Sequence, residues 1–299
     1  MKAAKILAVS ILILAASVVA LVWFFPSTGD FRTNNPFWNG LSEFQSSANA
    51  TVLDSLLNLP ANATGAVLVE IPYTPYNATD LVAINQFVNN GGTLLLMDDY
   101  GYGNQVLNYT GANMTFSGKP LLDPLFNYRD KYMPRISDFA YPLNGTGYIS
   151  MNWGTALQNV SVVNVLAWSS SFSFLDVNNT GTEVAGDPTG PLPVIAYQDV
   201  GKGYVVAVSD PSIIINSMLS VDSNAQLASE LTHITGTPTH VYIDQSHLPS
   251  QPLDSAKLAI STAYAAVSTP AGALSLIALA VALSTMPIWR KSIAKGVDR

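Results

Sequence analysis

The stretch Ala83 to Asn104, reading AINQFVNNGGTLLLMDDYGYGN, leaves this chain few folds to choose from. Its centre, Thr93-Leu94-Leu95-Leu96-Met97, shows no polar alternation, so both faces of a strand there must be covered, as in a parallel sheet. Ahead of it, Leu81, Ile84 and Val88 fall at i, i+3 and i+7, the apolar face of a helix. Asn77 is placed to cap that helix, with Asp80 three positions on, near its positive end. Asn89-Asn90-Gly91-Gly92 supplies residues that tolerate the left-handed conformation in which helices end. The loop after the strand, Asp98 to Gly103, is the first place to look for a bound ligand.

Both ends of the chain are apolar. Met1 to Lys5 is a short basic start, and Ile6 to Phe25 is an uncharged, apolar run of 20 residues. At about 1.5 Å per residue that run crosses a hydrocarbon core. Ala15-Ala16-Ser17 and Val18-Val19-Ala20 offer small residues for signal cleavage, but such peptides have an apolar core of only about 7–15 residues. The run continues to Trp23, Phe24 and Phe25, aromatics suited to a membrane interface. An uncleaved anchor over 1–25 is the expectation. A second span is expected over 271–289, led by a helical stalk over 254–270 and followed by a basic tail over 290–299 with Arg290, Lys291, Lys295 and Arg299. The positive-inside rule then puts both termini in the cytoplasm and residues 26–253 outside the cell membrane. Without Lys2, Lys5, those four basic residues and Asp298, 7 of 13 Lys+Arg and 19 of 20 Asp+Glu remain, leaving −12 between the ends.

That acidic balance and the lack of a basic cluster outside the ends argue against nucleic acid as a partner. The absence of cysteine excludes disulfides, thiolate metal sites and a cysteine nucleophile. Eight Asn-x-Ser/Thr sequons, at Asn49, Asn62, Asn77, Asn108, Asn113, Asn144, Asn159 and Asn178, are glycosylation candidates if this region is exported.

Within 26–253 the pattern predicts strands at Thr51–Leu56, Ala66–Ile71, Thr93–Met97, Val160–Trp168, Pro193–Gln198, Tyr204–Ser209 and Thr239–Asp244. Helices are expected near Gly40–Ala48, Leu81–Val88, from Asn104, over Ser223–Ile234, and over Ser255–Ser268 with Asp254 as cap. Asp199-Val200-Gly201-Lys202-Gly203 reads as a hairpin turn. Residues 111–160, with four prolines and the basic residues Arg129, Lys131 and Arg135, read as an irregular insertion carrying a hairpin near Tyr148–Met151, its basic residues paired with acidic neighbours or, alternatively, holding an anionic ligand. Alternating strands and helices define an α/β fold: a three-layer sandwich with a mainly parallel sheet, flanked by an N-terminal and a C-terminal transmembrane helix.

In open parallel sheets ligands bind beyond the carboxyl ends of the strands. Four such exits are polar here, and they nominate Tyr73, Asp98, Asp99, Asn104, Asp210, Ser212, Asp244 and His247 as a ligand rim. Carboxylates grouped this way either hold a hard cation, pair a general acid with a base, or cap helices and close turns for purely structural reasons. His233, His240 and His247 recur every seven residues but cross from helix to strand to loop, so no metal site is expected from them. The chain has no G-x-S-x-G, Walker A, G-x-G-x-x-G or H-E-x-x-H motif, and no cofactor is expected.

NNGGTLLLMDDYGYGN, GKGYVVAVSDPSIIINSML with VDSN just after it, and VYIDQSH together resemble a family of membrane-anchored ectodomains with a class I glutamine-amidotransferase-like fold. These are similar to the auxiliary ectodomains of gliding-type ABC transporters. The resemblance covers about Phe31 to Leu248 and implies a flavodoxin-like three-layer sandwich. Some relatives are encoded near MoxR-type AAA+ ATPases and von Willebrand-type domains, which implies envelope assemblies. Asp98, Asp99, Asp210, Asn216, Asp222, Asn224 and His247 match recurrent family positions to which no catalytic role attaches. The amidotransferase reaction needs a cysteine and does not carry over. Low charge, many sequons and missing cysteine suit an archaeal surface protein.

The expectation is a membrane-anchored extracellular glycoprotein whose ectodomain binds a partner protein or a glycan without catalysis. The alternative is a metal-dependent or acid/base hydrolase using the Asp/His rim.

Overall fold

The computed structural model describes the backbone of residues 2–297, and side chains of residues 6–282 and 285. Two units divide it: Pro26–Pro249, and the terminal segments up to Phe25 and from Ser250.

The Pro26–Pro249 unit is built on an eight-stranded mixed sheet. Its strands are β1 (Thr51–Leu53), β2 (Ala66–Glu70), β3 (Thr93–Met97), β4 (Asp138–Phe139), β5 (Val165–Trp168), β6 (Pro193–Val200), β7 (Gly203–Val208) and β8 (His240–Asp244). They run in the order β1-β8-β2-β3-β7-β6-β5-β4. The five strands from β1 to β7 are mutually parallel, and β6, β5 and β4 continue the sheet antiparallel. The sheet is therefore mainly parallel, as expected, with an antiparallel flank.

The unalternated strands are covered on both sides, with successive residues serving opposite cores. Val67, Val69, Leu95, Met97, Val206 and Val208 join one apolar cluster. Leu68, Leu94, Leu96, Val205 and Ala207 join the other. Helices α3 (Ala78–Asn89) and α4 (Gly103–Thr110) supply Ile84, Phe87, Val88, Val106 and Leu107 to the second cluster. The short α2 (Ser42–Ser47) and α5 (Asn216–Leu219), with α6 (Asn224–Thr232), supply Phe44, Met218, Leu227 and Leu231 to the first. Three layers result.

Local signals are realised where the sequence placed them. The Asn77 side chain accepts a 2.9 Å hydrogen bond from the Asp80 amide and caps α3. Gly91 follows that helix at φ +96, in the left-handed region. Gly201 and Lys202 close the β6–β7 hairpin, in which Val200 faces Gly203.

Two expectations need correction. The hairpin near Tyr148–Met151 is instead one side of a longer pairing, Arg135–Ile136 against Ile149–Ser150, and two further short antiparallel pairs extend the irregular region to Leu175. The helix expected over 255–268 is α7 (Pro252–Val267), which starts after Gln251 with no side-chain cap bond, has Pro252 as its first residue and holds Asp254 within the first turn rather than as its cap.

In the terminal unit, α1 (Lys2–Phe24) contains Ile6–Phe24, long and apolar enough to cross a membrane, with none of that stretch buried. Among the described residues, α7 and the part of α8 (Pro270–Val297) up to Ala282 reach a comparable apolar length as a pair bent by 88°. A separate second span at 271–289 is thus left as an expectation. The side chains of the basic tail 290–299, and of Lys2 and Lys5, lie outside the described residues.

Candidate functional site

Parallel pairing brings the ends of β2, β3, β7 and β8 to one edge, and the polar exits do meet there. Backbone bonds lace them together: the amides of Tyr73 and Thr74 donate to the His247 carbonyl at 3.0 and 2.9 Å, and the Tyr102 amide donates to the Pro72 carbonyl at 2.7 Å. The side chains sort into two groups.

The first is Tyr73, Asp98, Asp99 and Asp210, three carboxylates at most 5% exposed. Asp98 accepts from three backbone amides of its own loop, Asp99 (2.9 Å), Gly101 (2.8 Å) and Gly103 (2.7 Å). Asp99 accepts from the Tyr73 hydroxyl at 2.8 Å and the Tyr100 amide at 2.6 Å. Asp210 accepts from the amides of Asn152 at 2.5 Å and Ser212 at 2.7 Å. Each carboxylate folds back to hold a loop. Burial sets their acidity: Asp98 is pushed up to about 6 against the pull of the Gly103 and Gly101 amides. Asp210 is pushed up to about 8 by burial, opposed by the Asn152 amide and reinforced by the charge on Asp99. Asp99 is raised by burial, and the Tyr73 hydroxyl is raised by burial and by Asp99.

The second group is Glu70, Tyr76, Asp80, Asp244 and His247. His247 Nδ1 lies 2.9 Å from Asp244 Oδ2 and 3.5 Å from Glu70 Oε1, and its Nε2 lies 3.3 Å from Asp80 Oδ2. The Tyr76 ring stacks on the imidazole with centroids 4.0 Å apart, and its hydroxyl donates to Glu70 Oε1 at 2.6 Å. Ser246 Oγ donates to Asp244 Oδ1 at 2.6 Å. Burial pushes Glu70 well above the usual carboxylate range, and the charge on Asp244 adds to it. Burial pushes Asp244 upward too, but bonds from His247 and Ser246 outweigh it and leave that carboxyl low.

Not every nominated residue belongs to the rim. Asn104 ties α4 to Phe116, donating to its carbonyl at 3.0 Å and accepting from its amide at 2.8 Å. Asn216 accepts from the Glu43 amide and donates to the carbonyls of Asn35 and Phe37, which anchors the entering chain. Ser212 contributes its amide to Asp210. Asp222 pairs with Arg135 at 2.9 Å, and Asn224 exchanges bonds with the Ser150 backbone, so these too are structural ties. The three histidines do not converge: His233 bonds the Ser229 carbonyl and His240 stacks on Tyr242. Glu70 and Asp80 were not nominated. The signal for Glu70 was present in Ala66-Val67-Leu68-Val69-Glu70-Ile71, where a carboxylate inside an unalternated apolar run has no solvent-facing side to take.

A separate cleft of about 740 Å³ opens beside the beginning of β8, lined among others by Glu43, Leu219, Ala228, His233 and His240. All eight sequon asparagines are exposed.

Fold and site together define an α/β domain of mixed, mainly parallel sheet whose strand-end carboxylates are buried, in a chain that also carries an apolar N-terminal helix. The chain belongs to the family described as Domain of unknown function (DUF4350), whose model matches residues 33–232. No curated protein matches it. Among solved structures it is similar to the mmIFT52 N-terminal domain, at 14% identity and TM-score 0.43, over 55% of this chain and 76% of that one. It is similar to a β-galactosidase from Bacillus circulans sp. alkalophilus at 15% identity and TM-score 0.34, over 55% of this chain and only 22% of the enzyme. A cytoplasmic protein from Salmonella typhimurium is similar at 9% identity and TM-score 0.31, over 63% and 83% of the two chains. Likenesses this distant carry no functional argument.

Proposed function

We propose that this protein is a membrane-anchored surface protein whose α/β domain binds a partner protein or a glycan without catalysing a reaction. The observation that carries the reading is the state of the strand-end carboxylates. Asp98, Asp99 and Asp210 are buried and spend their oxygens on backbone amides and the Tyr73 hydroxyl. A general acid or base must reach a substrate proton within hydrogen-bond distance, directly or through one water. Carboxylates sealed and engaged in this way do not. This argues against a hydrolase that draws on Asp98, Asp99 and Asp210, while the open cleft beside β8 offers a binding surface elsewhere.

The apolar helix Ile6–Phe24 supports anchoring. The concentration of basic residues at the two ends supports a second span with both termini cytoplasmic, and the exposure of all eight sequons supports an extracellular, glycosylated domain. On this reading the domain is a relative of the amidotransferase-like ectodomains of gliding-type ABC transporters, and works as a subunit of an envelope or transport complex, with a MoxR-type AAA+ ATPase or an ABC transporter as partner.

Crosslinking in intact cells followed by mass spectrometry tests this. A membrane partner enriched with the wild-type chain supports it, and recovery of nothing above background counts against it. Reporters fused to each terminus test the topology, and an external signal from either end overturns it.

A further inference from the structure

The Glu70–Asp244–His247 group differs from the other carboxylates of the rim in one respect: it is not saturated from within. Glu70 is fully buried, yet among the described residues no donor reaches its Oε2, and the carboxyl it faces is that of Asp244, which bonds it only if the two share a proton. Two carboxylates and an imidazole offer ligand atoms that all lie within 4.8 Å of one another. Left to themselves, two such carboxylates in a dry site repel. They need either a shared proton or a cation.

We infer that Glu70, Asp244 and His247 Nδ1 form a binding site for a divalent first-row transition cation such as zinc. Three features of the surroundings support this. The edges from Nδ1, 3.5 Å to Glu70 and 2.9 Å to Asp244, bracket the ~3.4 Å edge of a tetrahedron with ~2.1 Å bonds. Each ligand also has its own orienting partner: Tyr76 holds Glu70, Ser246 holds Asp244, and Asp80 sits 3.3 Å from His247 Nε2. In the tautomer with Nε2–H donating to Asp80, Nδ1 gives up the proton it otherwise shares with Asp244 and presents its lone pair to a metal, the outer-sphere arrangement that metal-bound histidines use. The donor set finally selects the ion, because calcium takes six to eight oxygens and magnesium keeps its waters, whereas one imidazole and two carboxylates suit zinc and its neighbours. The cation would join the end of β2, the end of β8 and the first turn of α3, without any catalytic role. The site stands apart from the binding reading above and does not depend on it.

The full-length chain in detergent, stripped with a chelator and dialysed, is titrated with Zn²⁺ by calorimetry, with metal content then measured on the desalted protein. One equivalent per chain and a rise in melting temperature of several degrees are expected. Glu70→Gln and His247→Gln should lose that equivalent, and Asp80→Asn should weaken it about 10- to 100-fold, as outer-sphere losses do. Because the first two changes touch a buried site and can impair folding, the wild-type chain is also loaded with Co²⁺, whose visible absorption should report one nitrogen and several oxygen ligands at low coordination number. Two results overturn the proposal. One is a folded wild-type chain that takes up no equivalent of Zn²⁺ or Co²⁺, which leaves the carboxylates sharing a proton. The other is stoichiometric binding that persists unchanged in folded Glu70→Gln and His247→Gln chains.

Discussion

Replacing Asp210 with Asn should flatten the pH dependence of stability, and the size of the effect follows from where the carboxylate sits. Asp210 is fully buried, and burial lifts its carboxyl from 3.8 to about 8. Between those values the folded chain binds a proton that the unfolded chain has released. Stability therefore falls as pH rises from about 4 to about 8, and is flat on either side for this group. At about 1.36 kcal/mol per pH unit the loss is on the order of 5 kcal/mol. Asp98, lifted to about 6, adds a fall over the lower part of the same window. In Asp210→Asn the first contribution vanishes and the second remains. The amide pays one cost of its own: its NH₂ must face either the Asn152 or the Ser212 amide, both donors, which costs about 1–3 kcal/mol. The variant should thus be less stable than wild type at pH 5 and equal or more stable at pH 9. Urea denaturation of the full chain in detergent, followed by tryptophan fluorescence at pH 5, 7 and 9, gives the comparison. A wild-type stability that stays level or climbs over this range, or a variant with the wild-type slope, would refute the argument.

Three other outcomes follow from single contacts. In Gly203→Ala the new Cβ would stand 2.1 Å from the Gly92 carbonyl oxygen and 2.4 Å from that of Val88, both backbone, so a loss of about 3 kcal/mol or more is expected in the same denaturation assay. Arg135→Ala removes a half-exposed pair with Asp222, and a double-mutant cycle with Asp222→Ala should give a coupling of no more than about 1 kcal/mol that shrinks in high salt. Asn77→Ala removes the cap of α3 at about 1 kcal/mol, whereas Asn77→Ser keeps a capping oxygen; if the site is glycosylated, intact mass should show both variants losing the same glycan.

Most of the parallel core is legible in the residues. The strand Thr93–Met97 is bounded by Gly92 on one side and Asp98 on the other, and its five apolar-flanked positions leave no alternative to burial on both faces. Its helix is marked by a cap, a period and a glycine stop. The antiparallel flank is less legible because two-residue strands such as Asp138–Phe139 carry no periodicity, and their pairing depends on contacts made far along the chain. The rim was legible as a place but not as an arrangement. A carboxylate at a strand exit gives the same letters whether it faces solvent or turns back on its own loop, and only the amides of Gly101, Gly103, Asn152 and Ser212 decide between the two. Asp80 was read as a charge favouring the start of α3. Its approach to His247 depends on the crossover from β2 to α3, which no local pattern reports.

The same division explains how one sheet edge can be both rigid and chemically incomplete. A carboxyl group has about four acceptor sites, and a loop that returns two or three amides to it is held by those bonds at the expense of reactivity. Asp98 and Asp210 are in that condition. At the end of β2 the geometry differs, because no backbone amide among the described residues is returned to the Glu70 carboxylate. Among the described residues only Tyr76 reaches its carboxylate as a hydrogen-bond donor, and the remaining oxygen has to find compensation from outside the polypeptide or share a proton with Asp244. Either way the chemistry left over at this edge sits at Glu70, one strand away from the Asp98–Asp99 loop that first draws the eye in the sequence.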